Sequence, residues 1–322
     1  MVRSLARAVV IAAFAQPLML PAADYPTKPI RFINPTAPGG TAEPIARVIA
    51  QKMSESLGQT VVVDSRGGAG GTAGTATAAA AAADGYTILL GVVSPMAINV
   101  TLYGARLPYD PLKAFAPVSL ITKVPQVLSV HLSIQATSIR QLIEYANAPN
   151  RQLNYGSAGS GTTGHLVAEL LKKRATMPMT HIPFKGSGPA LSAFLSGDVG
   201  VMVSGPPAVI GMAQAGRLRI LATSGARRTP VLPEVPTFME SGLPIDVTSW
   251  YCLVVPSGTP QSIVTRLHTV LVSALQSPQA ADTLLKMGAP PEWSTPAQLS
   301  VFLRDEIKKF AEVIQIAGAK ID

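Results

Sequence analysis

The sequence predicts an α/β protein of two domains, and three observations carry that prediction. Its 322 residues exceed what one compact core usually takes. Short apolar runs of strand length alternate with amphipathic runs of helix length. The junctions between them are rich in glycine, serine and threonine, as strand-to-helix turns in βαβ units require.

The elements follow in order. "IRFINP" (30–35) is an apolar run suited to a buried strand. "TAPGGT" leads into "AEPIARVIAQKMSESLG", where Ile45, Val48, Ile49, Met53 and Leu57 fall at helical spacing. Thr41 is the expected N-cap, Pro44 suits a first turn that needs no N–H, and Gly58 stops the helix. "TVVVDS" (60–65) is a second strand. "RGGAGGTAGTATAAAAAADG" repeats the loop-to-helix scheme, with the alanine helix expected to run to Gly85. "YTILLGVV" (86–93) is a third strand, and this order implies a parallel sheet.

"APVSLITKVPQVLSVH" then offers two strand-like runs separated by Thr122–Pro125, a natural place to leave one domain for the other. "SIRQLIEYANAP" reads as a helix, and "QLNYGSAG" enters a second glycine-rich entrance as a strand. "MTHIPF", "VGVMVSG" and "RLRILATSG" are further strands, with helices over "GPALSAFLSG" and "PAVIGMAQAG" between them. Two long amphipathic helices close the chain. Ile263, Val264, Leu267, Val270, Leu271 and Leu275 mark the first, and Leu299, Phe302, Leu303, Ile307, Phe310, Val313 and Ile314 the second.

Ahead of all this stands "MVRSLARAVVIAAFAQPLMLPAADYP". Two arginines, an apolar run from Ala8 to Leu20 and small residues at Ala22 and Ala23 have the order of an export signal, residues 1–23, cleaved near Ala23. The run is broken by Gln16 and Pro17 and is shorter than the ~20 residues a membrane span needs. The protein is therefore expected in a bacterial periplasm, free of the membrane. The signal holds two of the 26 basic residues and none of the 18 acidic ones, so the remainder is near 24 − 18 = +6. The longest basic run is "KKR" and aromatics are 5%, which gives no support to nucleic-acid binding. Cys252 is the single cysteine and sits in the apolar "WYCLVV", so no internal disulfide forms and the thiol belongs to the core.

Two strand-to-helix loops share one chemical grammar. At a helix N-terminus several N–H groups lack intrahelical partners and the macrodipole places partial positive charge there. Glycines let an anion approach, and hydroxyls add donors. In "PTAPGGT" the loop runs Thr36, Ala37, Pro38, Gly39, Gly40, Thr41. In "GSAGSGTTG" the donors are Ser157, Ser160, Thr162 and Thr163, with Gly159 and Gly161 opening the approach. Capping and turn chemistry account for part of this, and an anion site accounts for the rest. Ser94 after the third strand, His165 in the first helical turn and Ser204 after "VGVMV" complete the candidate ligand-binding set.

Other chemistries find less support. Gly159, Gly161 and Gly164 match G-x-G-x-x-G, but the acid a dinucleotide fold wants at the end of the next strand is replaced by Lys185 in "HIPFKGSG". No G-x-S-x-G nucleophile elbow occurs. His131, His165, His181 and His268 lie far apart in sequence. His165 and Glu169, four apart on one helix, read as a surface pair rather than half a metal site. No catalytic residue, metal or cofactor is expected, and the alternative function is an exported α/β enzyme acting on a small anion.

Six ordered blocks carry a family likeness: "YPTKPIRFINPTAPGGTAEPIARVIAQKM", "VVVDSRGGAGGTAGTATAAAAAADGYTILLG", "LNYGSAGSGTTGHLVAELL", "HIPFKGSGPALSAFLSGDV", "AGRLRILATSGARR" and "LPEVPTFMESGLPIDVTSWYCLVVPSGTP". Together they resemble the substrate-binding proteins of tripartite tricarboxylate transporters, the Bug or TctC-like family. The resemblance implies a type II periplasmic binding protein: two α/β domains, 24–123 with 248–322 and 124–247, hinged about an interdomain cleft. It implies a small organic carboxylate held between Thr36–Thr41 and Ser157–Thr163, partly through ordered waters. It also implies a monomeric receptor serving membrane subunits of a transporter. Two departures stand out. Glu43 replaces the usual Asp after the first loop. Where relatives read close to "VDLMFD" this chain reads "VGVMVS", so Gly200 and Ser204 replace two acids, which implies a ligand without an amino group.

Overall fold

The structure, a computed structural model, describes residues 25–320; the expected export signal lies outside the described residues. In chain order the first unit contains β1 (Ile30–Asn34), α1 (Ala42–Leu57), β2 (Val61–Ser65), α2 (Thr72–Ala79), β3 (Thr87–Val92), α3 (Asn99–Tyr103), α4 (Pro111–Ala114) and β4 (Phe115–Pro125). There follow β5 (Val127–Val130), α5 (Ile139–Asn147), β6 (Asn154–Ser157), α6 (Thr163–Arg174), β7 (Thr180–Pro183), α7 (Ser187–Ser196), β8 (Val201–Ser204), α8 (Pro206–Gln214) and β9 (Arg219–Thr223). The chain then returns through β10 (Thr248–Pro256), α9 (Gln261–Gln276), α10 (Pro278–Lys286) and α11 (Pro296–Ala317).

Two five-stranded sheets result, in the orders β2-β1-β3-β10-β4 and β7-β6-β8-β5-β9. The sequence pattern implies parallel sheets, and the structure corrects this to mixed ones. β10 runs antiparallel to β3 and β4, and β5 runs antiparallel to β8 and β9. The reason is topological. Parallel neighbours need a crossover of a dozen or more residues, whereas β5 and β10 each arrive from the other sheet. β4 keeps its pairing with β10 as far as Pro125, and the chain changes sheet at Gln126.

Local chemistry explains most boundaries. Helix α1 buries Ile45, Ile49, Met53 and Leu57, worth roughly 1.5–3 kcal/mol each. Gly58 ends it in the left-handed conformation, donating its N–H to Ser54 O at 3.1 Å. Helix α2 stops at Ala79, six residues before Gly85, and Asp84 Oδ1 accepts the Tyr86 N–H to start β3. Helix α10 has no counterpart among the sequence-based elements, although Ser277 caps it and Pro278 fills its first position. Cys252 is fully buried, and burial pushes its thiol well above the ordinary range, so it packs as a small apolar group.

Candidate functional site

The strand-to-helix loops of both sheets converge on one cavity of about 690 Å³. The first sheet contributes Pro35–Pro38 and Thr41 of the β1–α1 loop, Gly67–Gly71 and Ser94, and the second contributes Ala158–Ser160, Thr162–Gly164, Phe184–Ser187 and Met202–Gly205. Gln126, Ser249 and Tyr251, from the strands that pass between the sheets, line its floor. Among the described residues, Lys185 is the one formally charged side chain on this wall, and no Asp, Glu, Arg or His lines it.

Not every helix entrance can serve an anion. α8 starts with Pro206–Pro207, which have no N–H to offer. Beside it, however, Ser204 is buried, lines the cavity and has no hydrogen-bond partner for its Oγ among the described residues. At α6, Thr162 caps the helix: its Oγ1 accepts the His165 N–H and donates to Gly159 O at 2.8 Å. The next two residues, Thr163 and Gly164, line the cavity, and no bond from their amides occurs among the described residues. A hydroxyl relay adds a donor. Gln126 Nε2 donates to Ser249 Oγ (3.0 Å), and Ser249 Oγ donates to Thr163 Oγ1 (3.0 Å). Each group passes its own hydrogen onward, so the Thr163 hydroxyl hydrogen is left for the cavity.

The α1 entrance differs from expectation. Thr41 occupies the cap position with helical dihedrals and makes no capping hydrogen bond. Glu43 reaches back instead, its carboxylate accepting the Gly39 N–H at 2.9 Å. That bond, then Arg47, holds the Glu43 carboxyl below its usual range. The chain thus carries its own anion at this helix tip, and Gly39 is not open to a ligand. The Thr36 hydroxyl is likewise committed, donating to Asn34 Oδ1 at 2.9 Å. Thr41 faces across the cleft: a Cβ built on Gly205 would stand 2.7 Å from its Oγ1 and Cγ2. Tyr251 is buried on the same wall, and burial pushes its phenol well above the ordinary range, so it stays neutral.

Of the sequence-derived candidates, Thr36, Ala37, Pro38, Thr41, Ser94, Gly159, Ser160, Thr162, Thr163 and Ser204 line the cavity. Gly39, Gly40, Ser157, Gly161 and His165 do not. Gly40 and Gly161 pack across the cleft, against Ser187 and Asn99 respectively. Ser157 is fully buried behind the loop, accepting the Gly159 N–H at 3.1 Å. His165 is 4% exposed, so the surface pairing with Glu169 is replaced by a buried position. Lys185 and Gly67–Gly71 escaped the sequence reading as site residues, although the second glycine loop repeats the grammar of the first. Gln126 and Ser249 carry no local signal, because their place depends on where the chain crosses between sheets.

The comparisons agree with this architecture. The family described as "Tripartite tricarboxylate transporter family receptor" matches residues 45–319. Protein BugT of Bordetella pertussis is 38% identical over 299 residues, covering 92% of this chain and 91% of that protein. Among solved structures, an R. palustris protein with adipate superposes with a TM-score of 0.89 at 36% identity, over 93% of this chain and 100% of that one. MatC from Rhodopseudomonas palustris with bound malate gives 0.84 at 30% identity, over 90% and 100%. The periplasmic binding protein BugD gives 0.88 at 30% identity, over 92% and 100%.

Proposed function

Because the chain belongs to the tripartite tricarboxylate transporter receptor family, we propose that it is a periplasmic solute-binding protein for a small organic carboxylate without an amino group. One observation carries the ligand class. The cavity wall offers the Thr163 and Gly164 amides, the Thr163 and Ser204 hydroxyls and Lys185, and among the described residues it presents no carboxylate. Such a wall satisfies an acid group and leaves an ammonium without a counter-charge. Charge-assisted hydrogen bonds of this kind contribute on the order of 1.5–3 kcal/mol each. The relatives solved with adipate and malate support the same class.

In this reading residues 1–23 export the protein, residues 24–123 with 248–322 form one domain, and residues 124–247 form the other. The changeovers at Gln126 and before Thr248 serve as the hinge. Closure buries the ligand and presents a surface to membrane subunits of a transporter, with the receptor acting as a monomer. No bond is made or broken.

Calorimetry against straight-chain mono- and dicarboxylates, citrate and the proteinogenic amino acids tests the proposal. Binding is expected among the acids and absent for the amino acids; tight binding of an amino acid with none of the acids would end it. Lys185→Met is expected to weaken the best acid several-fold and to flatten the dependence of its affinity on salt, since Lys185 is exposed and acts mainly through long-range charge.

A further inference from the structure

Three rings lie stacked directly behind the α6 entrance. His181 stacks on Tyr155 on one side, with centroids 4.8 Å apart and planes inclined by 16°. On the other side it stacks on His165, at 4.3 Å and 20°. Both imidazoles hold the loop backbone. His165 Nδ1 accepts the Gly161 N–H at 3.3 Å. His181 Nε2 lies 2.7 Å from Ser157 Oγ, which accepts the Gly159 N–H. Gly159 and Gly161 have φ of 124° and 79°, conformations that side-chain-bearing residues rarely adopt. No strand ladder or helical bond fixes such a segment. Among the described residues it is held by these bonds, the Thr162 cap, the Thr162 N–H donated to Gly159 O (3.3 Å) and the Gly186 N–H donated to Ala158 O (3.2 Å).

The proton count at His165 is then decided by geometry. A ring nitrogen that accepts an N–H must keep its lone pair, so the bonded imidazole is neutral with its hydrogen on Nε2. A proton added at Nδ1 removes the acceptor and sets N–H against N–H. It also places positive charge 4.3 Å from a second imidazole. Among the described residues, the ionisable groups joined to the stack include Tyr155 from β6 and Glu169 and Lys172 from α6. Tyr155 donates its hydroxyl hydrogen to Glu169 Oε1 at 2.6 Å, and Lys172 approaches the same oxygen at 3.5 Å. β8, packed against α6, has no ionisable side chain. α11 also packs there, and its Glu306 is engaged by Trp250 Nε1 and Lys309.

We propose that His165 is a proton-sensitive positioning residue for the binding loop. Neutral His165 holds the Gly161 amide and thereby keeps the Thr163 and Gly164 amides aimed at the cavity. Protonated His165 releases that turn, and an anionic ligand binds more weakly. The loop switch belongs to the ligand-free protein; only the ligand's chemical class rests on the proposed function.

Nuclear magnetic resonance of ligand-free protein labelled with ¹⁵N-glycine tests this, followed from about pH 8 to pH 5, where histidines ordinarily titrate. In the wild type the Gly161 amide is expected to follow a one-proton curve. In His165→Asn, whose Oδ1 takes the place of Nδ1 and cannot be protonated there, the same amide is expected to stay put. In parallel, the affinity for adipate is expected to fall about threefold or more from pH 8 to pH 6 in the wild type. In the variant, whatever its level, it should not change with pH. A Gly161 amide that does not titrate in the wild type overturns the proposal, as does a variant that titrates like the wild type. Titration of Gly161 with no adipate binding at any pH upholds the switch and removes adipate as the ligand.

Discussion

Gly205→Val is expected to weaken ligand binding on the order of 10- to 100-fold while leaving the melting temperature of the ligand-free protein almost unchanged. Gly205 sits at φ −73° and ψ 150°, a conformation open to any residue, so the substitution costs little within its own domain. The obstacle lies across the cleft. A Cβ there stands 2.7 Å from the Thr41 Oγ1 and Cγ2 atoms, and Thr41 is β-branched and stiff about its first torsion. Overpacking of that kind costs roughly 1–3 kcal/mol, and here it falls on the closed form alone. Solution scattering should show the variant remaining extended in the presence of saturating acid. Wild-type affinity in Gly205→Val would mean that the two sheets do not need to meet at Thr41 for the ligand to be held.

Ser204→Asp carries the second large effect. The Ser204 hydroxyl is buried, unpartnered and on the cavity wall, so a carboxylate there faces the ligand with no neutralising neighbour on the wall except exposed Lys185. Like charges brought together out of water cost several kcal/mol, which corresponds to a loss on the order of 100- to 1000-fold for an acid. Ser204→Asn has nearly the same size and no charge, and is expected to stay within about tenfold of the wild type. The two variants separate charge from bulk. Equal losses in calorimetry would show that position 204 matters for space only, and a new affinity of Ser204→Asp for an amino acid would show that this one side chain sets the charge of the accepted ligand.

Much of this arrangement was legible in the sequence because it depends on local chemistry. The run Ile45–Met53 and the stop at Gly58 give α1, and the Thr162 cap with the glycines before it gives the entrance to α6. The cavity lining at Gly159, Ser160, Thr162 and Thr163 follows from the same signals. What the sequence concealed depends on distant partners. Thr41 looks like an N-cap, but Glu43 takes the Gly39 amide and Thr41 faces Gly205. Ser157 looks like a ligand donor, yet it is fully buried and braces Gly159 against His181. The antiparallel course of β5 and β10 cannot be read from apolar runs, since periodicity records which face is buried and not which way a strand runs. The relay from Gln126 through Ser249 to Thr163 joins residues that come together only when both crossings are in place.

That relay gives the account its mechanical content. Gln126 N–H is also bonded to Ser224 Oγ, which donates to Val247 O, so the two crossings are tied to each other as well as to the α6 entrance. In the proposed function, an acid oxygen accepting from the Thr163 hydroxyl would complete a chain that starts where the backbone crosses between the sheets, which would couple binding to closure.

The most direct test is a crystal structure of the protein with its bound acid. A carboxylate oxygen is expected at about 2.7–3.2 Å from the Thr163 and Gly164 nitrogens, with the Ser204 hydroxyl or a bridging water completing its shell. A ligand presenting an ammonium or a neutral group to those atoms, or an acid seated elsewhere while the two amides face only solvent, would contradict it.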